Sequence, residues 1–166
     1  IYYTEGLDGN REVYATFKAA SGVYLTDEDQ QPIDGFTFDD WKDRTNGWND
    51  SELWLYYTRN SYTISFENCT GIDDASLKYE QTLNAAEPAD NRIGRPEGVY
   101  ADSTFGGWYY SPACEEGTEV NWNSDTMPSH NIQVYAKWID PEYTVTFHTN
   151  GGNDIDSRTY SVGDVV

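Results

Sequence analysis

Two stretches of the chain read alike. Tyr135–Phe147 runs Tyr-Ala-Lys-Trp-Ile-Asp-Pro-Glu-Tyr-Thr-Val-Thr-Phe, and Tyr56–Phe66 runs Tyr-Tyr-Thr-Arg-Asn-Ser-Tyr-Thr-Ile-Ser-Phe. Each is a strand, a short polar joint and another strand, and one offset of 81 residues carries Tyr62 to Tyr143 and Phe66 to Phe147. A unit that recurs at a fixed offset is the mark of an array of modules rather than of one large domain. The 166 residues then divide into two small modules and the opening of a third: 1–59, 60–140 and 141–166. The chain starts on a strand-like Ile1-Tyr2-Tyr3 and stops inside the third repeat, so it is expected to be a piece of a longer protein.

Alternation sets the fold class as mainly β. Glu12–Lys18 places Val13, Ala15 and Phe17 on one side and predicts a half-buried strand. Tyr62, Ile64 and Phe66 alternate with Thr63 and Ser65 in the same way. Leu53–Tyr57 is a nearly unbroken apolar run that closes the first module. Gly35–Phe38 starts a strand, and Trp41–Ser51, rich in Asn, Asp and Gly, reads as loop. In the second module Ala75–Gln81 returns from a turn at Glu67–Asp74, a short helix is expected near Asn84–Asn91, and Ile132–Trp138 is the last strand. Thr104–Tyr110 carries Gly106-Gly107, which allows a bulge or close backbone approach. In the third, Tyr143–Phe147 and Arg158–Val162 flank a hairpin turn at Asn150-Gly151-Gly152-Asn153.

Charge narrows the partners. With 29 acidic against 10 basic residues and a net charge of −19, the surface repels nucleic acid phosphates, anionic lipid heads and sulfated glycans. The 26 aromatic residues (6 Trp, 14 Tyr, 6 Phe) argue against disorder, which such acidity could otherwise mean. No run approaches the roughly 20 apolar residues of a membrane-spanning helix, so no membrane insertion is expected.

No catalytic constellation stands out. There is no phosphate-cradling glycine loop, zinc spacing or nucleophile elbow, and the chain reads as non-enzymatic. His130 and His148 lie in turn or strand-end contexts. Trp108 and Trp138 read as core aromatics of neighbouring strands. Trp41, Trp48 and Trp122 fall in loop-like stretches and are the candidates for ligand contact, as sugar-stacking rings. Cys69 and Cys114 could form one bridge or stay as two separate thiols; two cysteines make no metal site. Asp73-Asp74 and Asp154/Asp156 could hold calcium through oxygen ligands, although neither has the spacing of a known loop, and no other cofactor is implied.

The motifs of the second and third modules resemble a known family. Phe147-His-Thr-Asn-Gly-Gly152, Tyr160-Ser-Val-Gly163, Phe105-Gly-Gly-Trp-Tyr109, Met127-Pro-Ser-His130 and Tyr135-Ala-Lys-Trp138 resemble the Listeria–Bacteroides repeat, also called the internalin B-repeat. The second module departs from it at the first turn, where Asn68-Cys-Thr-Gly71 replaces Asn-Gly-Gly. Tyr3–Gly9, Gly35–Phe38 and Leu55–Asn60 of the first module look like the mucin-binding-protein repeats of Gram-positive surface proteins. Both resemblances imply small β-grasp-like modules in tandem, within secreted or wall-attached bacterial adhesins.

The resulting expectation is an extracellular, cell-surface repeat segment that acts as stalk or spacer and takes part in adhesion. The alternative is a carbohydrate- or mucin-binding module using its loop aromatics on a host glycoprotein or glycan. Other partners would be neighbouring repeats of the same chain. The joints Arg59-Asn60-Ser61 and Ile139–Glu142 are too short to behave as flexible coil, and Pro141 stiffens the second.

Overall fold

The structure is a computed structural model that describes residues 1–18, 30–43 and 53–165. It is mainly β. The described residues form β1 (Tyr2–Glu5), β2 (Arg11–Ala15), β3 (Phe36–Asp43), β4 (Leu53–Arg59), β5 (Ser61–Glu67), β6 (Ala75–Lys78), β7 (Thr104–Tyr109), β8 (Ile132–Ile139), β9 (Glu142–Val145) and β10 (Arg158–Ser161). The helix expected near Asn84–Asn91 is instead two 3-10 turns, Leu83–Ala86 and Asp90–Arg92. Pro88 between them removes a backbone donor and limits each to about one turn.

One sheet is ordered β2-β1-β4-β3 and another β6-β5-β8-β7. In each, the second strand lies outside the first, and the fourth lies between the first and the third. Two stretches with little sequence in common therefore share one strand order, as expected of tandem small β modules. A third sheet pairs β9 with β10. One residue, Asn60, separates β4 from β5, and Asp140-Pro141 separates β8 from β9. Contacts gather the chain into two compact units, Ile1–Ser65 with Asp74–Glu87 and Asn121–Ile132, and Phe66–Asp73 with Pro88–Val120 and Gln133–Val166.

In the first unit β4 is central because its sequence lets it be buried on both faces. Leu53, Leu55 and Tyr57 face a core completed by Tyr2 and Ile33, with Ala15, Phe36 and Phe38 packed against it. Tyr56, on the opposite face, is buried too: Tyr3 lies beside it, 5.5 Å between ring centres, and the Arg11 guanidinium covers it at 3.8 Å. β1 runs parallel to β4, pairing Tyr2 with Leu55 and Thr4 with Tyr57, and antiparallel to β2.

Two sequence readings of this sheet need correction. β2 is not half-buried, since Val13 is 59% and Phe17 68% exposed. It is an edge strand, Val13 pairs with Tyr3 on the outer face, and Phe17, beyond the strand, meets Tyr2 edge-on at 5.3 Å. Trp41 is not in a loop, because β3 continues through Asp43, pairing Trp41 with Leu55 and Lys42 with Trp54 across a register shift at Phe38/Asp40. The remainder of the Trp41–Ser51 stretch, Arg44–Ser51, lies outside the described residues.

The same unit holds the β5–β6 hairpin, with Ser61 opposite Lys78 and Ile64 opposite Ala75. The segment 121–132 lies along the residues that follow β6. The Met127 N–H donates to the Gln81 carbonyl at 2.9 Å, the Glu80 N–H to the Met127 carbonyl at 2.8 Å and the Leu83 N–H to the Asp125 carbonyl at 2.9 Å. Ile64, Leu83 and Met127 are fully buried.

In the second unit β7 and β8 pair antiparallel, with Phe105 opposite Trp138 and Trp108 opposite Ala136. Gly106-Gly107 thus oppose the single residue Lys137, which makes the glycine pair a β-bulge. Gly107 has φ +113°, and a Cβ on Gly106 would come within 2.8 Å of Ile139 Cδ1. Trp108 sits edge-on to both Phe66 (5.1 Å) and Phe105 (5.5 Å). In the β9–β10 hairpin Val145 faces Arg158 and Tyr143 faces Tyr160. The turn at Asn150-Gly151 is thus the tip of a longer loop between Val145 and Arg158 rather than a tight two-residue connection. A two-stranded sheet is marginal in water, and most of this one is exposed.

Candidate functional site: the strand joint and two surface features

The joint at Asn60 is held by a dense set of bonds. β4 ends on Arg59, whose side chain is only 8% exposed. Its Nε donates to the Glu5 carbonyl at 2.9 Å, its Nη1 donates to the Tyr79 carbonyl at 2.9 Å, and its backbone N–H donates to Glu5 Oε2 at 3.1 Å. Nη1 also pairs with the Glu80 carboxylate. The guanidinium lies 4.7 Å from the Phe36 ring centre, a cation–π geometry. Glu5 in turn accepts from Lys78 Nζ at 2.7 Å. Its carboxyl is held below the usual glutamate range, first by that bond and then by the Arg59 N–H.

Backbone bonds complete the joint. The Asn60 N–H donates to the Gly35 carbonyl at 2.9 Å and the Tyr79 N–H donates to the Asn60 carbonyl at 2.8 Å. Thr37 Oγ1 donates to Asn60 Oδ1 at 2.7 Å, and Ser129 Oγ donates to Asp34 Oδ2 at 2.8 Å. Gly35, at φ +76°, lies so close to Tyr79 that a Cβ would fall 2.2 Å from the ring, while Tyr79 meets Phe36 edge-on at 5.8 Å. Burial raises the Tyr79 phenol, and the Glu80 and Asp34 carboxylates add to the effect. The sequence singles out Arg59 and Asn60 as a short joint, but not the residues that bond to them. The available signal was Arg59 itself, a rare cation at the end of an apolar strand in an acidic chain.

The three tryptophans proposed for ligand contact are placed differently from one another. Trp41 is 44% exposed on β3. Trp48 lies outside the described residues. Trp122 is 8% exposed and so offers no stacking face; its segment is held by the backbone bonds from Met127 and to Asp125 given above. On the outer face of the first sheet, Tyr3, Trp54 and Tyr56 form a cluster with ring centres 5.1–5.5 Å apart. Arg11 caps it and bonds Asp39 at 3.2 Å.

In the second unit a shallow groove of about 350 Å³ is lined by Asn68, Val99, Tyr100, Cys114, Lys137 and Trp138, among others. The Trp138 indole N–H donates to the Asn68 carbonyl at 2.9 Å, and Asn68 Nδ2 donates to the Ala136 carbonyl at 2.7 Å. Asn68 takes φ +57°, as Asn150 takes φ +45°; both first turns therefore use a left-handed Asn, which tolerates that conformation better than most residues. Cys69 and Cys114 are free, partly buried thiols rather than a bridge. Burial raises both, which makes them poor nucleophiles. His130 and His148 are exposed. Asp73, Asp74, Asp154 and Asp156 are exposed as well, and Asp74 accepts from Ser65 Oγ at 3.0 Å. Among the described residues no group of three or more His, Cys, Asp or Glu side chains is arranged to hold a metal ion. Nor is any helix there long and apolar enough to cross a membrane.

Comparison with known proteins agrees with the repeat. Residues 62–137 match the model of the Listeria-Bacteroides repeat domain. The chain is 28% identical, over 89% of its length, to a protein of Evansella cellulosilytica named as a Gly-rich membrane protein, and covers 18% of it. A second protein of that organism, named as a membrane protein, is 30% identical over 69% of the chain, which covers 16% of it. Internalin H of Listeria monocytogenes is 28% identical over 73% of the chain, which covers 23% of it. The chain therefore spans less than a quarter of each of these relatives.

Proposed function

We propose that the chain, whose residues 62–137 match the model of the Listeria-Bacteroides repeat domain, is a non-enzymatic spacer within a bacterial cell-surface protein, displayed outside the cell and joined to further repeats. The observation that carries this reading is the single-residue joint at Asn60, bonded on both sides and locked by Arg59. A spacer needs successive modules to hold a fixed direction, and a flexible linker would defeat it. The relatives named as membrane proteins and as an internalin support a surface location, and the net charge of −19 suits an exposed, soluble segment. The modules are taken to run 1–59, 60–140 and onward from 141. Solution scattering on segments of the parent protein with increasing repeat number tests it: maximum dimension should grow linearly with the number of repeats, and a globular profile would sink the reading.

A second reading, adhesion to a host glycan or glycoprotein, draws on Trp41, the one of the three candidate tryptophans with an exposed face among the described residues. Aromatic faces bind sugars by stacking, so a glycan array with wild type and Trp41→Ala separates the two readings. Saturable binding that the substitution abolishes would favour adhesion. Running the array with calcium and again with chelator tests whether the carboxylates take part.

A further inference from the structure

We infer that the first sheet is a mechanical clamp loaded in shear. The chain enters the sheet on β1 and leaves it on β4, and these two strands are neighbours and parallel. Tension along the chain pulls the start of β1 backwards and the end of β4 forwards, so the two strands are drawn past each other along their length. In that geometry the bonds of the ladder share the load and must fail together. Had the entry and exit points lain at the same end of adjacent strands, the same bonds would open one after another.

Three features strengthen the clamp. The ladder runs from the Leu55 N–H bond to the Ile1 carbonyl, at 2.9 Å, through the pairing of Thr4 with Tyr57. At the exit end Arg59 bonds Glu5 through both Nε and the backbone N–H, which ties the last residue of β4 to the last residue of β1. Across both faces the two strands are further held by aromatic contacts, Tyr2 with Tyr57 at 5.9 Å and Tyr3 with Tyr56 at 5.5 Å. Forced unfolding is governed by the unfolding rate rather than by equilibrium stability, so strand direction can matter as much as the sum of contacts. The use of the clamp in the parent protein rests on the spacer reading above; the clamp itself rests on strand direction alone.

Single-molecule pulling on the full chain tests it, in a Cys69→Ser, Cys114→Ser background so that handles attach only where placed. Held at its two termini, the first module should yield in one step that lengthens the chain by about 190 Å, from 59 residues at roughly 3.4 Å each less the roughly 14 Å that separates Ile1, beside Leu55, from Arg59 in the fold. Moving the first handle to a Leu7→Cys position, exposed in the β1–β2 turn, puts the load at the same end of β1 and β4 and peels them apart. The terminal pull should require the clearly higher force, and Arg59→Met should lower it. Equal forces in the two geometries, or a first-module step that is weaker in the terminal pull, would overturn the clamp. Because the folded protein is the same in both geometries, a difference in folding cannot account for the result. Scattering decides the spacer reading separately, so either can fail without the other.

Discussion

Arg59 donates to Glu5 twice, from Nε to the carbonyl at 2.9 Å and from its backbone N–H to the carboxylate at 3.1 Å, across a sequence separation of 54 residues. The pair joins the ends of two parallel strands at the point where the chain passes from one sheet to the next. Replacing Arg59 by Met keeps most of the stem that packs near Phe36 but removes the guanidinium. The carbonyls of Glu5 and Tyr79 then lose a donor, and the carboxylate of Glu80 loses its cation. Losing charged hydrogen bonds at a buried side chain costs about 2–4 kcal/mol, and urea unfolding of Arg59→Met should show a loss of that size. A loss under about 0.5 kcal/mol, the level of an ordinary surface change, would mean the joint is not held by this residue.

The Glu5 carboxylate gives the joint a pH dependence. Its folded-state value is depressed by the bond from Lys78 and by the Arg59 N–H. A depressed carboxylate stabilises the fold fully above its unfolded value, and the contribution is lost as pH falls through the folded value. Many other carboxylates titrate in the same range in this chain, so the informative quantity is the difference between wild type and Glu5→Gln. At neutral pH the wild type should melt higher. The gap should narrow only below the usual glutamate range, and close in stronger acid. A gap that stays constant from neutral pH to pH of about 2 would show that Glu5 acts through packing and not through charge.

Gly35 offers a cleaner steric test. Its φ of +76° resembles the +81° of Gly9, but a Cβ at Gly35 meets the Tyr79 ring whereas one at Gly9 meets nothing within 4 Å. Gly9→Ala should therefore cost only the left-handed backbone penalty, about 1–2 kcal/mol. Gly35→Ala adds displacement of Tyr79 from its edge-on contact with Phe36, and should cost roughly 1–3 kcal/mol more. Chemical denaturation of the two variants side by side measures the difference; equal losses would show that Tyr79 moves aside freely.

The strands were legible where alternation or an apolar run met a clear turn. Leu53–Tyr57 reads as the closing strand of the first module, its central place in the sheet following from its two apolar faces, and the Gly106-Gly107 pair allows the bulge that is found. The second joint was legible from Pro141, and Ser103 Oγ now proves to donate to Asp140 there at 2.6 Å. The second half of β3 reads as loop because Asp39, Asp40 and Asp43 give it that composition. Its pairing with β4 overrides that local preference, as tertiary context commonly does in sheets. For β2, alternation shows two faces without showing whether either one is covered. The Arg59-Asn60-Ser61 joint is legible from its shortness, but the bonds that lock it are not: the partners of Arg59 stand 20 to 54 residues away, and no local pattern encodes them.

Trp122 and Trp41 separate stability from recognition. Both sit in polar sequence and read alike as loop aromatics, yet Trp122 is 8% and Trp41 44% exposed. Trp122 lies in the segment whose backbone bonds to Gln81 and Glu80 flank the fully buried Leu83 and Met127, so Trp122→Ala should open a cavity and cost about 3–5 kcal/mol. Trp41→Ala should cost less, about 1–2 kcal/mol, since part of the ring already faces water. The prediction for binding runs the other way: if the chain takes a glycan, Trp41→Ala should weaken it without lowering the melting temperature by more than a few degrees. Thermal unfolding and glycan titration of both variants would decide it. A large stability loss at Trp41 would make that tryptophan a structural residue of β3, and would remove the aromatic face on which the adhesion reading depends.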